Sequence, residues 1–268
     1  MTKISRRYAD TSFGQVHVRC HYPIGEYTQP PIVVLHPAPY SGLFFKTAQP
    51  FLAQNRHICA PDYPGYGGSD PQENPLSIGD YARAIIETIG FLNFNQKVDL
   101  LGFHTGCLVA AEIAHSSAPW VNRIVMCDVP YFTADQQADL REKMTQPLPL
   151  SAELDCLQKA WDFSVANRVD DVPLPRSLEL FTEHLRTGTN DWYAFDAAFS
   201  YDCEERFSTL DADVTCLATQ SGLHGPTKAA ADVIPGAKFV DVPEITSAVF
   251  EAGAEKIAKR VHAALDSA

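Results

Sequence analysis

Gly102-Phe103-His104-Thr105-Gly106 lies between an apolar run, Val98-Asp99-Leu100-Leu101, and a stretch of small and aliphatic residues, Cys107-Leu108-Val109-Ala110-Ala111-Glu112-Ile113-Ala114. The first run reads as a buried strand and the second as a helix, so the pentapeptide is a sharp strand-to-helix turn. Its glycines have a steric reason. The central residue sits on strained backbone, and a Cβ two positions to either side would collide with the neighbouring strand and helix. The residue presented by the turn is His104.

Working outward, Ile32-Val33-Val34-Leu35 follows the Pro30-Pro31 pair and reads as a strand buried on both faces, while Val16 to Tyr22 alternates after a Phe13-Gly14-Gln15 turn as an edge strand or hairpin arm. Further short apolar or β-branched runs come at Arg56 to Ala60, Lys97 to Leu101, Arg123 to Cys127, Val214 to Ala218 and Lys238 to Val242. Between them lie helical patterns, notably Ile78 to Phe91 and Cys107 to His115, and a last one at Gly253 to Leu265. This alternation predicts an α/β fold: a mostly parallel sheet flanked by helices, with ligands bound at the carboxyl ends of the strands. One stretch breaks the pattern. Tyr131 to about Tyr201 holds amphipathic segments, Pro147, Pro149 and the Val172-Pro173-Leu174-Pro175 punctuation, without a strand, and reads as an inserted helical lid. The expected organisation is a core of 1–130 and 206–268 around a lid of 131–205. Aromatic residues of the lid, Trp161 among them, are candidates to roof a substrate pocket or to pack lid against core.

The chain of 268 residues is 46% hydrophobic and 20% charged, enough to bury a large core. Its formal net charge of -12 speaks against nucleic acid or an anionic membrane surface as partner and for a small organic molecule. Seven cysteines, without Cys-x-x-Cys spacing and mostly inside apolar runs, read as small buried hydrophobes in a reducing cytoplasm. No signal-length apolar stretch follows the basic amino terminus, and no run of about 18 apolar residues predicts a membrane span. A homodimer is compatible with this composition.

Three signatures in order carry a family resemblance. Leu35-His36-Pro37-Ala38-Pro39 resembles the His-Gly-x-Pro oxyanion-loop motif, Asp62-Tyr63-Pro64-Gly65-Tyr66-Gly67-Gly68-Ser69-Asp70 resembles an Asp-x-x-Gly-x-Gly-x-Ser loop, and the pentapeptide resembles the Gly-x-Ser-x-Gly nucleophile elbow. Together they resemble the α/β-hydrolase superfamily over nearly the whole chain apart from the lid. The resemblance implies that fold and a triad in chain order Ser, Asp, His. All three triad positions depart from it. The nucleophile position is His104; Thr219-Gln220-Ser221-Gly222-Leu223-His224 has no carboxylate; Pro243-Glu244-Ile245-Thr246-Ser247 has no histidine.

The expected chemistry is hydrolysis of a small carbonyl compound, an ester, thioester, lactone or activated C–C bond, with His104 as general base. Asp128, at the end of the Arg123 to Cys127 run, is the candidate to orient it, or else a helix cap. The resemblance implies oxyanion donors at the backbone amides of Ala38 and Thr105; Pro37, in place of the motif's glycine, bears on the path of the first. His36, Tyr40, Trp161 and His224 are candidates for the pocket. No cofactor is expected. A zinc site of His36, His104 and His224 ranks below the reading of His36 as a brace of the oxyanion loop. Two alternatives stand beside hydrolysis: a lyase or isomerase acting by proton abstraction, and a ligand-binding homologue without catalysis.

Overall fold

Gly14, whose φ of 92° lies in the left-handed region, turns the chain between a charged amino-terminal arm and the alternating segment from Val16. The two arms form a hairpin of β1 (Thr2–Thr11) and β2 (Gly14–Pro23). The structure is a computed structural model and describes residues 2–23, 27–168 and 171–266. The remaining strands are β3 (Ile32–Leu35), β4 (Ile58–Pro61), β5 (Val98–Phe103), β6 (Val121–Cys127), β7 (Val214–Thr219) and β8 (Lys238–Val242). One sheet joins all eight in the order β1-β2-β4-β3-β5-β6-β7-β8, antiparallel within the hairpin and at its junction with β4, and parallel from β4 to β8. The segment from Val16 is therefore not the sheet edge. β1 covers it, an outer strand that carries Lys3, Arg6 and Arg7, charges of the kind that protect an unpaired edge.

The helices are α1 (Gln49–Leu52), α2 (Ile78–Leu92), α3 (Thr105–Ser117), α4 (Ala134–Met144), α5 (Gln158–Trp161), α6 (Leu174–Leu185), α7 (Tyr193–Phe199), α8 (Cys203–Ser208), α9 (His224–Val233) and α10 (Ala254–Asp266). Alternate residues of the central strands feed two apolar layers, as a two-residue period dictates. Val33, Leu35, Leu100 and Met126 pack with α2, α3 and α9, whereas Ile32, Val34, Leu101 and Val125 pack with α1 and α10. A Ser77–Asp80 capping box starts α2, and Asn93 ends it in the left-handed conformation at φ 51°.

Between β6 and β7 the described residues are helical or irregular, without a strand. Arg176 of α6 ties this insert to the core: its guanidinium donates to Glu251 at 2.8 Å and to the carbonyls of Leu43 and Phe44 at 2.8 and 3.1 Å. The Ala194 amide of α7 donates to the Tyr66 hydroxyl at 2.8 Å, and Arg186 donates to the Gly67 carbonyl at 2.7 Å. The insert thus lies against the loops that follow β3 and β4. Among the described residues, no helix is long and apolar enough to cross a membrane.

Candidate active site

The turn after β5 has the steric construction its glycines require. A Cβ on Gly106 would stand 2.0 Å from the Leu35 carbonyl oxygen, and one on Gly102 would stand 2.5 Å from the Gly106 oxygen. Only bare backbone lets β3, β5 and α3 approach so closely. Between the glycines, His104 adopts φ 49°, a left-handed conformation that costs a residue with a Cβ on the order of 1–3 kcal/mol. The Cys107 amide donating to the His104 carbonyl at 2.8 Å, and the His104 amide donating to Cys127 at 3.3 Å, hold it there.

The His104 ring stacks on Phe103, with centroids 3.9 Å apart and planes 29° from parallel. It is partly accessible, and its nitrogens make no hydrogen bond among the described residues. Burial pushes the imidazole down to about 4, with the nearby Asp128 charge acting in the opposite direction. At neutral pH the ring is uncharged.

Asp128, buried and also left-handed at φ 52°, follows β6. Its side chain turns toward β7 rather than β5: Oδ1 accepts from the Thr219 amide at 2.8 Å and Oδ2 from the Thr219 hydroxyl at 2.6 Å. No hydrogen bond joins it to His104 among the described residues. Asp128 therefore bears on His104 through charge, each of its oxygens accepting from Thr219.

His36 lies under the oxyanion loop, fully buried. Its Nδ1–H donates to the Pro37 carbonyl at 3.1 Å, and its Nε2 accepts the Tyr63 amide at 3.0 Å, an arrangement that requires the neutral ring. Burial pushes it down to about 4. Both nitrogens being engaged, His36 braces the loops after β3 and β4 and has none left for a pocket or a metal. Beside it Asp62 accepts from Gly42, Gly68 and the His17 ring, each at 2.8 Å, which fixes the second signature loop. The amides of Ala38 and Thr105 are buried and donate to no acceptor among the described residues.

The other candidates fall in different places. His224 opens α9, is exposed, and its Nε2 lies 3.1 Å from Asp241 on β8. Trp161 is 39% exposed and packs edge-on against Phe181. Tyr40 is half-buried, stacks on Phe44, and places its hydroxyl 3.3 Å from Ser164 Oγ of the insert. Among the described residues, no three His, Cys, Asp or Glu side chains are grouped to hold a metal.

Tyr40 leads to a constellation that sequence inspection did not bring out. Ser164 Oγ is 3.4 Å from His184 Nδ1, and His184 Nε2 is 2.9 Å from Asp191 Oδ2. His184 of α6 is buried inside the insert. Its partners come from a π-turn (Asp162–Ala166) and from the loop before α7, so no spacing marks them. A cavity of about 390 Å³ opens beside them, lined by Pro39 of the oxyanion loop and by Leu148, Phe163, His184, Asp191 and Phe195 of the insert; His104 does not line it.

Residues 32–258 match the alpha/beta hydrolase family. Among curated proteins, haloalkane dehalogenase 2 of Mycobacterium bovis is 27% identical over 133 residues, 49% of this chain and 44% of the dehalogenase, so the chain spans less than half the length of the curated relatives it matches. Two solved structures superpose over nearly their whole length: the enol-lactonase from Burkholderia xenovorans LB400 (TM-score 0.78, 15% identity, 97% of this chain and 100% of that one) and an esterase from Exiguobacterium antarcticum (TM-score 0.75, 18% identity, 98% and 100%). At such identities the likeness is one of fold.

Proposed function

The chain belongs to the alpha/beta hydrolase family, and from that premise we propose that it hydrolyses a small carbonyl compound (an ester, thioester, lactone or activated C–C bond) with His104 as general base. One observation carries this reading: a left-handed histidine stands in the turn between Gly102 and Gly106, and the backbone amides of Ala38 and Thr105 have no protein acceptor among the described residues. Those amides receive the carbonyl oxygen. Neutral His104 takes a proton from water as the water oxygen bonds to the carbonyl carbon and the carbonyl π electrons move onto the amide-bound oxygen. When the carbonyl re-forms, the bond to the leaving group breaks with its electron pair, and imidazolium His104 returns the proton to it.

The low basicity of His104 decides which substrates suit it. An imidazole whose basicity burial lowers is a weaker general base than a solvated one. Electrophiles that need little help from the base, such as thioesters, enol esters and strained lactones, fit such a base. Asp128, occupied by Thr219, assists through its charge alone.

The test is His104→Ala against a panel of such compounds, with product followed by mass spectrometry. Loss of about 10²-fold or more in turnover with the fold intact is expected, from the size of general-base contributions. Undiminished turnover in the variant overturns the role. A second reading, binding without turnover, is favoured by the missing Asp128 to His104 hydrogen bond; saturable binding with no product from any member of the panel would establish it.

A further inference from the structure

The cavity under the insert ends on an unmet demand. Asp191 Oδ1 is buried and has no hydrogen-bond partner, although Oδ2 of the same carboxylate is engaged by His184. A buried carboxylate oxygen left without a donor is costly, and proteins usually satisfy it with a side chain, water or ligand. Around it the lining is mostly apolar, with Leu148, Ala160, Phe163 and Phe195.

The hydrogen bonds behind the carboxylate fix its orientation. The ring at His184 donates from Nε2 to Asp191 Oδ2, which leaves Nδ1 to accept from the Ser164 hydroxyl, whose oxygen accepts from the Tyr40 hydroxyl. With a neutral ring and an ionised carboxylate, the donors of this chain run from Tyr40 toward Asp191, and Oδ1 is left as a buried acceptor without a donor. The π-turn that carries Phe163 and Ser164 puts one on the cavity wall and the other in the chain. Such turns are frequent at functional sites.

We propose that this cavity is a binding site for small molecules with an apolar body and a hydroxyl group, the hydroxyl donating to Asp191 Oδ1. His184 and Ser164 are positioning residues that hold the carboxylate; the apolar wall receives the body. A cavity of about 390 Å³ is within the range of small-molecule sites. Binding here does not require His104 to act, since His104 is not part of the wall.

The probes are 2-(4-fluorophenyl)ethanol and its methyl ether, titrated onto the full chain and followed by fluorine NMR. They share the apolar body, and the ether lacks the donor. The alcohol is expected to bind roughly ten-fold more tightly, the scale of one charge-assisted hydrogen bond in a dry site. Asp191→Asn, with folding checked by its melting curve, should cut that preference at least three-fold. Ala160→Leu fills the cavity and should weaken both probes, whereas His104→Ala should leave both unchanged. Equal affinity of the two probes for the unaltered protein overturns the proposal. So does binding of neither, a preference that survives Asp191→Asn, or alcohol binding that ignores Ala160→Leu. None of these results bears on turnover at His104, so the two readings fail separately.

Discussion

Lowering the pH is the sharpest perturbation of the site, because His36 must stay neutral for the loops to hold their shape and His104 must stay neutral to act as a base. Burial pushes His104 and His36 down to about 4 from the usual 6.5. In the unfolded chain both take protons near 6.5, so between about 6.5 and 4 the unfolded state binds more protons than the folded one, and stability falls as the pH falls. At neutral pH that loss is nearly absent; at pH 5 linkage assigns each histidine a loss of about 2 kcal/mol, approaching about 3 kcal/mol below pH 4. His36 gives this a concrete cause, since protonating Nε2 removes the acceptor of the Tyr63 amide. The assay is a carbon-13 NMR titration of the two rings combined with urea midpoints at pH 7 and pH 5. Both rings are expected to remain neutral to below pH 5, the midpoint is expected to drop, and the acid limb of any turnover should lie near 4. Asp128→Asn should move the His104 titration lower still, because the Asp128 charge is what holds it up. If His104 titrates between 6 and 7, the ring is solvated and the argument about its lowered basicity fails.

Gly106→Ala should destabilise the protein by about 3 kcal/mol or more, because its Cβ would sit 2.0 Å from the Leu35 oxygen and the central strand β3 has nowhere to move. Gly222→Ala, with nothing within 4 Å, is the control and should change the denaturation midpoint by less than about 0.5 kcal/mol; equal effects at the two glycines would refute the close-approach argument. Cys20 and Cys59 sit opposite each other on β2 and β4 with sulfurs 2.9 Å apart, and Cys59 lies at the wall of a cavity of about 330 Å³. Diamide should therefore join them, with loss of two hydrogens from the thiols and reduction of the diamide to the hydrazine, read as one cross-linked peptide in a digest; two free thiols after treatment would count against it.

The parts of this protein that were legible in its sequence are those fixed by local sterics. Glycines two positions either side of His104 announce a turn that nothing bulkier could make, and the added-Cβ distances to Leu35 and Gly106 show why. The unbroken apolar run Ile32-Val33-Val34-Leu35 announces a strand covered on both faces, and the two apolar layers bear that out. β1 was not legible, because Thr2 to Thr11 exposes charge and is a strand only by virtue of its pairing with β2. The direction in which Asp128 points was not legible either. Its position at the end of β6 is a matter of sequence, but His104 on β5 and Thr219 on β7 are equally adjacent in the sheet order, and the choice between them is made by two short hydrogen bonds to Thr219 that no spacing encodes.

That choice has a consequence for how this scaffold distributes its polar groups. In the core, the buried groups nearest the turn are occupied with holding loops: both nitrogens of His36, both oxygens of Asp128 and both oxygens of Asp62 have protein partners. Among the described residues, what stays unspent there includes the Ala38 and Thr105 amides, the His104 ring and the buried Tyr63 hydroxyl. In the insert the situation is reversed: Ser164, His184 and Asp191 form a continuous chain that ends in an oxygen with no partner. Groups already saturated by the fold cannot also serve a ligand without breaking something, whereas an unsatisfied donor or acceptor gains by binding. Chemistry in this molecule is therefore to be sought at two places, the Ala38 and Thr105 amides with His104 and the unpartnered oxygen of Asp191, and Pro39 links them: it follows Ala38 in the chain and lines the same cavity as Asp191.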